Sequence, residues 1–256
     1  MTWRIGSIPY LNVRPLIYGI EDQVISTVPA QLAERLYQGE IDVGIVPVAA
    51  VLRHDQYDIL DHVAIAANGP VRSVLLFHKE PIAKLQRIAL DPASRSSVML
   101  LRILLRMVYR IEPEFYACPP NAQLTEHPAV LMIGDAAIRY SLAPAAARPH
   151  VLDLAAAWRD WTGLPFVFAV WAGQRGVFHD ARLRSLLWTA KANGLANIET
   201  IVQTATEATP EFRREYLTRC VRYDLGTVEK KAIALFQKYA VELGLVSTAG
   251  ELRYST

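Results

Sequence analysis

The sequence predicts an α/β fold built as two lobes with a ligand cleft between them. Three observations lead there. The opening third alternates short apolar runs with amphipathic stretches in the order β-α-β-α-β, the pattern of a parallel sheet with helices on its faces. The middle of the chain starts a second strand-rich series at Arg87. From Asp180 onward the sequence is mostly helical. The first lobe is expected to combine residues 1–84 with residues 172–256, and the second to hold residues 85–171. Crossings near Ala83 to Gln86 and near Trp171 would form a hinge, and a cleft between lobes is a common ligand site.

Each element has a local reason. Trp3 to Ile8 is a short apolar strand that runs into a polar turn holding Asn12 and Arg14. Pro15 suits a first helical turn, where its missing N–H costs nothing, so a helix is expected over Pro15 to Ile20. Asn12 either caps that helix or offers its amide to a ligand. Gln23 to Val28 reads as a strand, and Pro29 opens an amphipathic helix that Gly39 ends. Ile41 to Val46 is an apolar run short enough for a buried parallel strand. Tyr57 to Ala67 and Val71 to His78 are strands separated by the turn Asn68-Gly69-Pro70. Arg87 to Leu90 is a strand ending in Asp91-Pro92-Ala93-Ser94-Arg95-Ser96-Ser97, and a helix follows from Val98 to Tyr109.

Glu112 to Tyr116 and Ala129 to Ile133 are strands, with loop at Cys118-Pro119-Pro120-Asn121 between them. Val151 to Leu154 leads into a helical turn with Trp158 and Trp161, then a very apolar strand from Phe166 to Ala172. Helices are expected from Asp180 to Gly194, from Pro210 to Cys220 and from Thr227 to Leu243. The polar tail from Ser247 to Thr256 is expected to be loose.

Composition excludes several classes of function. Hydrophobic residues make up 52% of the 256, enough for a large core, and the net charge of +2 gives no field for nucleic acid. No apolar run is long enough for a membrane span, and the opening residues lack a signal-peptide pattern, so a cytoplasmic location is expected. Cys118 and Cys220 fit no metal or redox spacing and read as thiols of a reducing compartment. His54, His62, His78, His127, His150 and His179 show no zinc-ligand spacing. Neither nucleotide-binding glycine motifs nor a nucleophile elbow occur. No metal or organic cofactor is expected.

Two segments carry candidate chemistry on their own. In Asp91 to Ser97 a strand ends and serines with Arg95 precede an apolar helix. Such serines cap the helix, and the same helix end is an anion site. In Gly134-Asp135-Ala136-Ala137, Asp135 either caps the next helix or orients a ligand group.

The run Ser7-Ile8-Pro9-Tyr10-Leu11-Asn12-Val13-Arg14-Pro15-Leu16 resembles the N-terminal signature of the menaquinone-biosynthesis chorismate dehydratases of the futalosine route, with Pro9 in place of the usual serine. Gly69-Pro70-Val71-Arg72-Ser73 resembles a second family segment. Asp91, Ser94, Ser96 and Ser97 fit a third, from which Pro92 departs. Ile133 to Ala137, Trp161 to Trp171, Tyr216 to Thr218 and Arg222 to Gly226 extend the likeness along the chain.

The resemblance implies the two-lobed type II periplasmic-binding-protein-like fold. It also implies an enzyme of the hydro-lyase class that converts chorismate to 3-[(1-carboxyvinyl)oxy]benzoate and water. Asn12 and Ser73 are then the expected catalytic residues. Arg14, Arg72, Ser94, Arg95, Ser96, Ser97 and Asp135 are the expected substrate-binding residues. The expected partner is small-molecule chorismate, with no nucleic acid and no membrane. Two alternatives share the fold: a non-enzymatic binding protein for small anions, and a 1,4-dihydroxy-6-naphthoate synthase.

Overall fold

Alternating apolar runs and helix-capping signals fold into two sheets joined by a shared core. The computed structural model describes residues 3–91, 94–119, 124–144, 150–247 and 250–256. Pro92 and Ala93 of the serine-rich turn, Pro120 and Asn121 of the expected loop, and Thr248 and Ala249 of the tail lie outside these residues.

The first sheet holds β1 (Ile5–Ser7), β2 (Val24–Ser26), β3 (Val43–Pro47), β4 (Tyr57–Ala67), β10 (Phe166–Gln174) and β11 (Arg253–Ser255). Its order is β11-β4-β10-β3-β1-β2. The second holds β5 (Val74–His78), β6 (Arg87–Leu90), β7 (Glu114–Ala117), β8 (Ala129–Ile133) and β9 (His150–Asp153), in the order β7-β6-β8-β5-β9. Both sheets are mixed rather than purely parallel. β1, β2 and β3 run parallel, but β10 lies antiparallel between β3 and β4. β5 is likewise antiparallel to β8 and β9. These two are the strands that enter each sheet from the other side of the molecule, which explains their reversed direction.

Sheet membership also moves the crossings. β5 already belongs to the second sheet and β10 to the first. The chain therefore changes sheets across residues 68–73 and returns between β9 and β10, one strand earlier at each end than the expected 83–86 and 171. The turn signal at Asn68-Gly69-Pro70 marks the first crossing.

Helices cover the sheets: α1 (Pro29–Tyr37), α2 (Val48–Val51), α3 (Ser96–Leu104), α4 (Gly134–Leu142), α5 (Leu154–Thr162), α6 (Ala181–Ala196), α7 (Ile198–Thr204), α8 (Pro210–Glu215) and α9 (Thr227–Glu242). α3 begins two residues before the expected Val98, and its continuation Leu105–Tyr109 is π-helical. The expected helix over Pro15 to Ile20 is instead a 3₁₀ segment, Leu11–Leu16. Pro15 sits inside it, and the helical geometry is lost at Ile17, ahead of Gly19 at φ +80°. The tail is not loose throughout. β11 pairs parallel with β4, and Arg253 Nε donates to Asp58 Oδ1 at 3.1 Å.

One core cluster spans both sheets. Trp158 is fully buried at its centre, with its indole N–H donating to the Pro165 carbonyl at 3.0 Å. Phe166 and Phe236 meet its ring edge-on. Burial of this aromatic group stabilises each partner by roughly 1.5–3 kcal/mol or more. It fixes α5 and α9 on β10, the strand that carries Phe168 to the cleft.

Candidate functional site

Strand ends from both sheets converge on a cavity of about 560 Å³, mouth included. Its wall is mostly apolar, from Ile8, Pro47, Ile65, Val74, Ile133 and Phe168. Into this wall project Asn12, Ser73, Ser94, Arg95, Ser96 and Ser97. An apolar pocket with a few convergent polar groups is the usual form of a small-molecule site.

The tight 3₁₀ segment places Asn12 there. Leu11, Val13, Pro15 and Leu16 are buried in the core, and Asn12 turns to the cavity. Tyr10 occupies the N-cap position and no side chain caps the segment. The capping alternative for Asn12 is therefore set aside. Its Oδ1 is fully covered and has no hydrogen-bond partner among the described residues. Such an atom costs about 1–3 kcal/mol, so its presence in a cavity wall points to a ligand donor.

Ser73 follows Arg72, whose φ of +62° turns the chain sharply before β5. The Arg72 backbone N–H is held by Asp153 Oδ2 at 2.7 Å. Asp153 also caps α5 through the N–H groups of Ala155 and Ala156. One half-buried carboxylate thus fixes both the turn and the helix. Ser73 itself is 1% exposed and accepts a hydrogen bond from the Tyr216 hydroxyl at 2.8 Å.

The serines at the start of α3 divide their work. Ser96 Oγ donates to the Phe168 carbonyl at 2.9 Å and accepts from the Ala49 N–H at 3.2 Å. Phe168 is the extra residue of a bulge in β10, between the pairs Val167–Ala66 and Ala169–Ile65, which frees its carbonyl for Ser96. Ser96 thereby ties α3 to the first sheet. Ser94 Oγ is buried without a partner among the described residues and faces the cavity with Ser97. Arg95 is the one cation among the described residues that line the cavity. Its guanidinium is 3.9 Å from Glu34, too long for a strong pair, and it remains available to an anion.

Three expected binding residues lie elsewhere. Arg14 lines a separate, more polar hollow with Tyr18 and Glu21, and pairs with Glu207 at 2.9 Å. Arg72 pairs with Glu215 at 2.8 Å and lies over the Phe212 ring at 4.3 Å. Asp135 does not line the cavity and does not cap α4. Its Oδ1 accepts from the Leu11 N–H at 3.2 Å, pinning the 3₁₀ segment to the start of α4. Gly134, at φ +58°, allows this approach: a Cβ there would meet the Tyr10 ring at 3.1 Å.

Burial is the main cause that pushes the Asp135 carboxyl up to about 6, with nearby Glu207 adding to it. The folded state therefore holds this proton more tightly than the unfolded chain, where the value is an ordinary 3.8. Its contribution to stability is fully present below that unfolded value and is lost as pH rises through about 6. Asp135→Asn keeps an acceptor for Leu11 and removes the charge. It is expected to raise stability at pH 8 by about 2 kcal/mol. The gain should disappear near pH 4, as read by urea unfolding of both proteins at each pH. An equal gain at every pH would show that charge is not the cause.

The sequence along most of the chain agrees with one family. The model of the family described as menaquinone biosynthesis matches residues 3–242. The chain belongs to this menaquinone-biosynthesis family. A Thermus thermophilus protein named chorismate dehydratase is 32% identical, with 94% of this chain and 95% of the relative covered. A Campylobacter jejuni protein of the same name is 26% identical over 94% of this chain and 98% of its own. A solved protein from Archaeoglobus fulgidus superposes with a TM-score of 0.79 at 17% identity, covering 95% of this chain and 98% of that one. The periplasmic aliphatic sulphonate-binding protein SsuA of Escherichia coli gives 0.65 at 16% identity, covering 97% and 89%. The fold is the two-lobed periplasmic-binding-protein-like one.

For this family member, reasoning from sequence missed Tyr10 and Phe168 as residues that line the cavity and Tyr216 as the partner of Ser73. Phe168 read as core like its neighbours Phe166 and Trp171, and only the bulge turns it to the cavity. Tyr216 lies 143 residues from its partner Ser73, and no local pattern announces that contact. Among the described residues no group of three His, Cys, Asp or Glu side chains could hold a metal ion, and no helix is long and apolar enough to cross a membrane.

Proposed function

We propose that this protein is a chorismate dehydratase that yields 3-[(1-carboxyvinyl)oxy]benzoate and water in the futalosine route to menaquinone. The observation that carries the reading is a pair of buried oxygens without a partner among the described residues, Asn12 Oδ1 and Ser94 Oγ, in the wall of an apolar cavity at the start of α3. The two relatives of that name and the family match support it. Chorismate carries two carboxylates. Arg95, Ser94, Ser97 and the N-terminal end of α3 suit one of them. Arg14 and Arg72, committed to Glu207 and Glu215, drop out as carboxylate partners. The two free cysteines support a cytoplasmic location as part of this reading.

The reaction removes the ring hydrogen at C3 and the hydroxyl at C4. The polar residues lining the cavity include no histidine, lysine, aspartate or glutamate among those described. The base is then the substrate's own enolpyruvyl carboxylate. It takes the C3 proton, the C–H electron pair becomes ring π-bond, and the C4–O bond breaks with its electrons on oxygen. The same proton, passed on from that carboxyl to the departing oxygen, completes water and restores the carboxylate. The protein's part is to hold carboxylate and hydrogen together, an effect that lowers barriers by about 7–11 kcal/mol in the best cases. Asn12 and Ser73 hydrogen-bond the departing hydroxyl.

Purified protein mixed with chorismate is expected to give a product one water lighter, with an aromatic ultraviolet spectrum, by mass spectrometry. An analogue lacking the enolpyruvyl carboxylate is expected to bind without reacting, and its normal turnover would sink the substrate-base mechanism. Binding of chorismate without turnover would make the protein a binder of this fold. Neither binding nor turnover would remove chorismate as the ligand.

A further inference from the structure

Tyr216 stands behind the site. It opens the π-helical segment Tyr216–Cys220 that continues α8, and it is 1% exposed. Its ring stacks on Phe212, and its hydroxyl reaches Ser73 Oγ at 2.8 Å. Asn12 Oδ1, in the wall of the same cavity as Ser73, has no partner among the described residues.

The protons can be counted along this chain. The phenol spends its one proton on Ser73. Ser73 Oγ then has its own proton left. Among the described residues Ser73 Oγ donates to no acceptor, and the residue lines the cavity. We infer that Tyr216 is a positioning residue that sets the Ser73 hydroxyl as a donor into the cavity, beside Asn12 Oδ1 as an acceptor. One substrate hydroxyl satisfies both, accepting from Ser73 and donating to Asn12. This rests on the dehydratase reading, in which that hydroxyl is the leaving group. Complete burial of the phenol pushes its pKa well above the usual value, so Tyr216 keeps its proton. It orients and polarises Ser73 without serving as an acid.

The test is Tyr216→Phe in the whole protein with chorismate as substrate. Loss of one neutral donor is expected to lower kcat about tenfold and to leave KM within about twofold. In a Ser73→Ala background the same change is expected to cost nothing further, because Tyr216 acts through Ser73. Tyr223→Phe serves as a control. Tyr223 is 5% exposed, its hydroxyl has no partner among the described residues, and it does not line the cavity, so this variant should keep normal kcat.

Should Tyr216→Phe fail to fold, 3-fluorotyrosine at position 216 keeps the O–H and strengthens it as a donor. Its kcat is expected at or above normal, and a tenfold loss there would overturn the inference. So would a Tyr216→Phe enzyme with normal kcat, or losses that multiply with those of Ser73→Ala. A normal protein that leaves chorismate unchanged overturns the dehydratase reading and this role with it. Turnover that is insensitive to Tyr216→Phe overturns this role alone.

Discussion

Asn12→Ala is expected to lower kcat for chorismate by about 10²–10³-fold while KM changes little, as for loss of a preorganised polar group at a reacting oxygen. The argument starts from cost. A covered amide oxygen without a donor destabilises the empty protein by about 1–3 kcal/mol. Asn12 Oδ1 is such an atom. The 3₁₀ segment holds it rigidly, pinned by Asp135 on Leu11 and by four buried neighbours. Its geometry is therefore set before substrate arrives, and little reorganisation is left for the reaction. KM should change little because ground-state binding draws mainly on the apolar wall, Arg95 and the α3 start.

Removing the orphaned oxygen should also leave the melting temperature unchanged or raised, the usual sign of a residue kept for activity at some cost in stability. Steady-state kinetics and thermal unfolding on the same preparation check both halves. A variant with normal kcat, or one with lost activity and a collapsed melting temperature, would mean that Asn12 serves the fold and not the chemistry.

What could be read from the sequence follows from the range of the interactions. Strands Arg87 to Leu90 and Ala129 to Ile133 were readable to the residue because turns or polar segments bound short apolar runs. The serines before α3 were readable as a helix start that could meet an anion. Their division was not: Ser96 binds Phe168, which is 72 residues away and exposed as an acceptor only by a bulge. Arg14 and Arg72 left two readings open for a similar reason. A cation in a polar turn is equally suited to a ligand carboxylate and to a glutamate from a distant helix. The partners here, Glu207 and Glu215, lie 193 and 143 residues on. The strand order was hidden too. β5 and β10 show the same apolar runs as their neighbours, and only their entry from the opposite lobe reverses them.

Gly194→Ala is expected to destabilise the protein by about 3 kcal/mol or more and to depress kcat in whatever still folds. By propensity alone the sign would be opposite, because alanine is favoured over glycine inside a helix by about 0.8–1 kcal/mol. Space decides against it. A Cβ at Gly194 would lie 2.0 Å from the Pro15 carbonyl oxygen and 2.6 Å from its carbon. Those are backbone atoms, so no rotamer change relieves the clash, and α6 must move away from the 3₁₀ segment. That segment carries Asn12, and its other face is held by Asp135. A shift of even an ångström there misaligns Asn12 with Ser73 and Tyr216, and a misplacement of that size can cost about 10²-fold in rate. Gly39→Ala provides the contrast. It has φ +71° and open space around it, so it should show a modest loss of stability with normal kcat. Urea unfolding and kinetics of the two variants side by side separate the effects. If Gly194→Ala matched the normal protein in both, close contact between α6 and the 3₁₀ segment would not be what holds Asn12 in place.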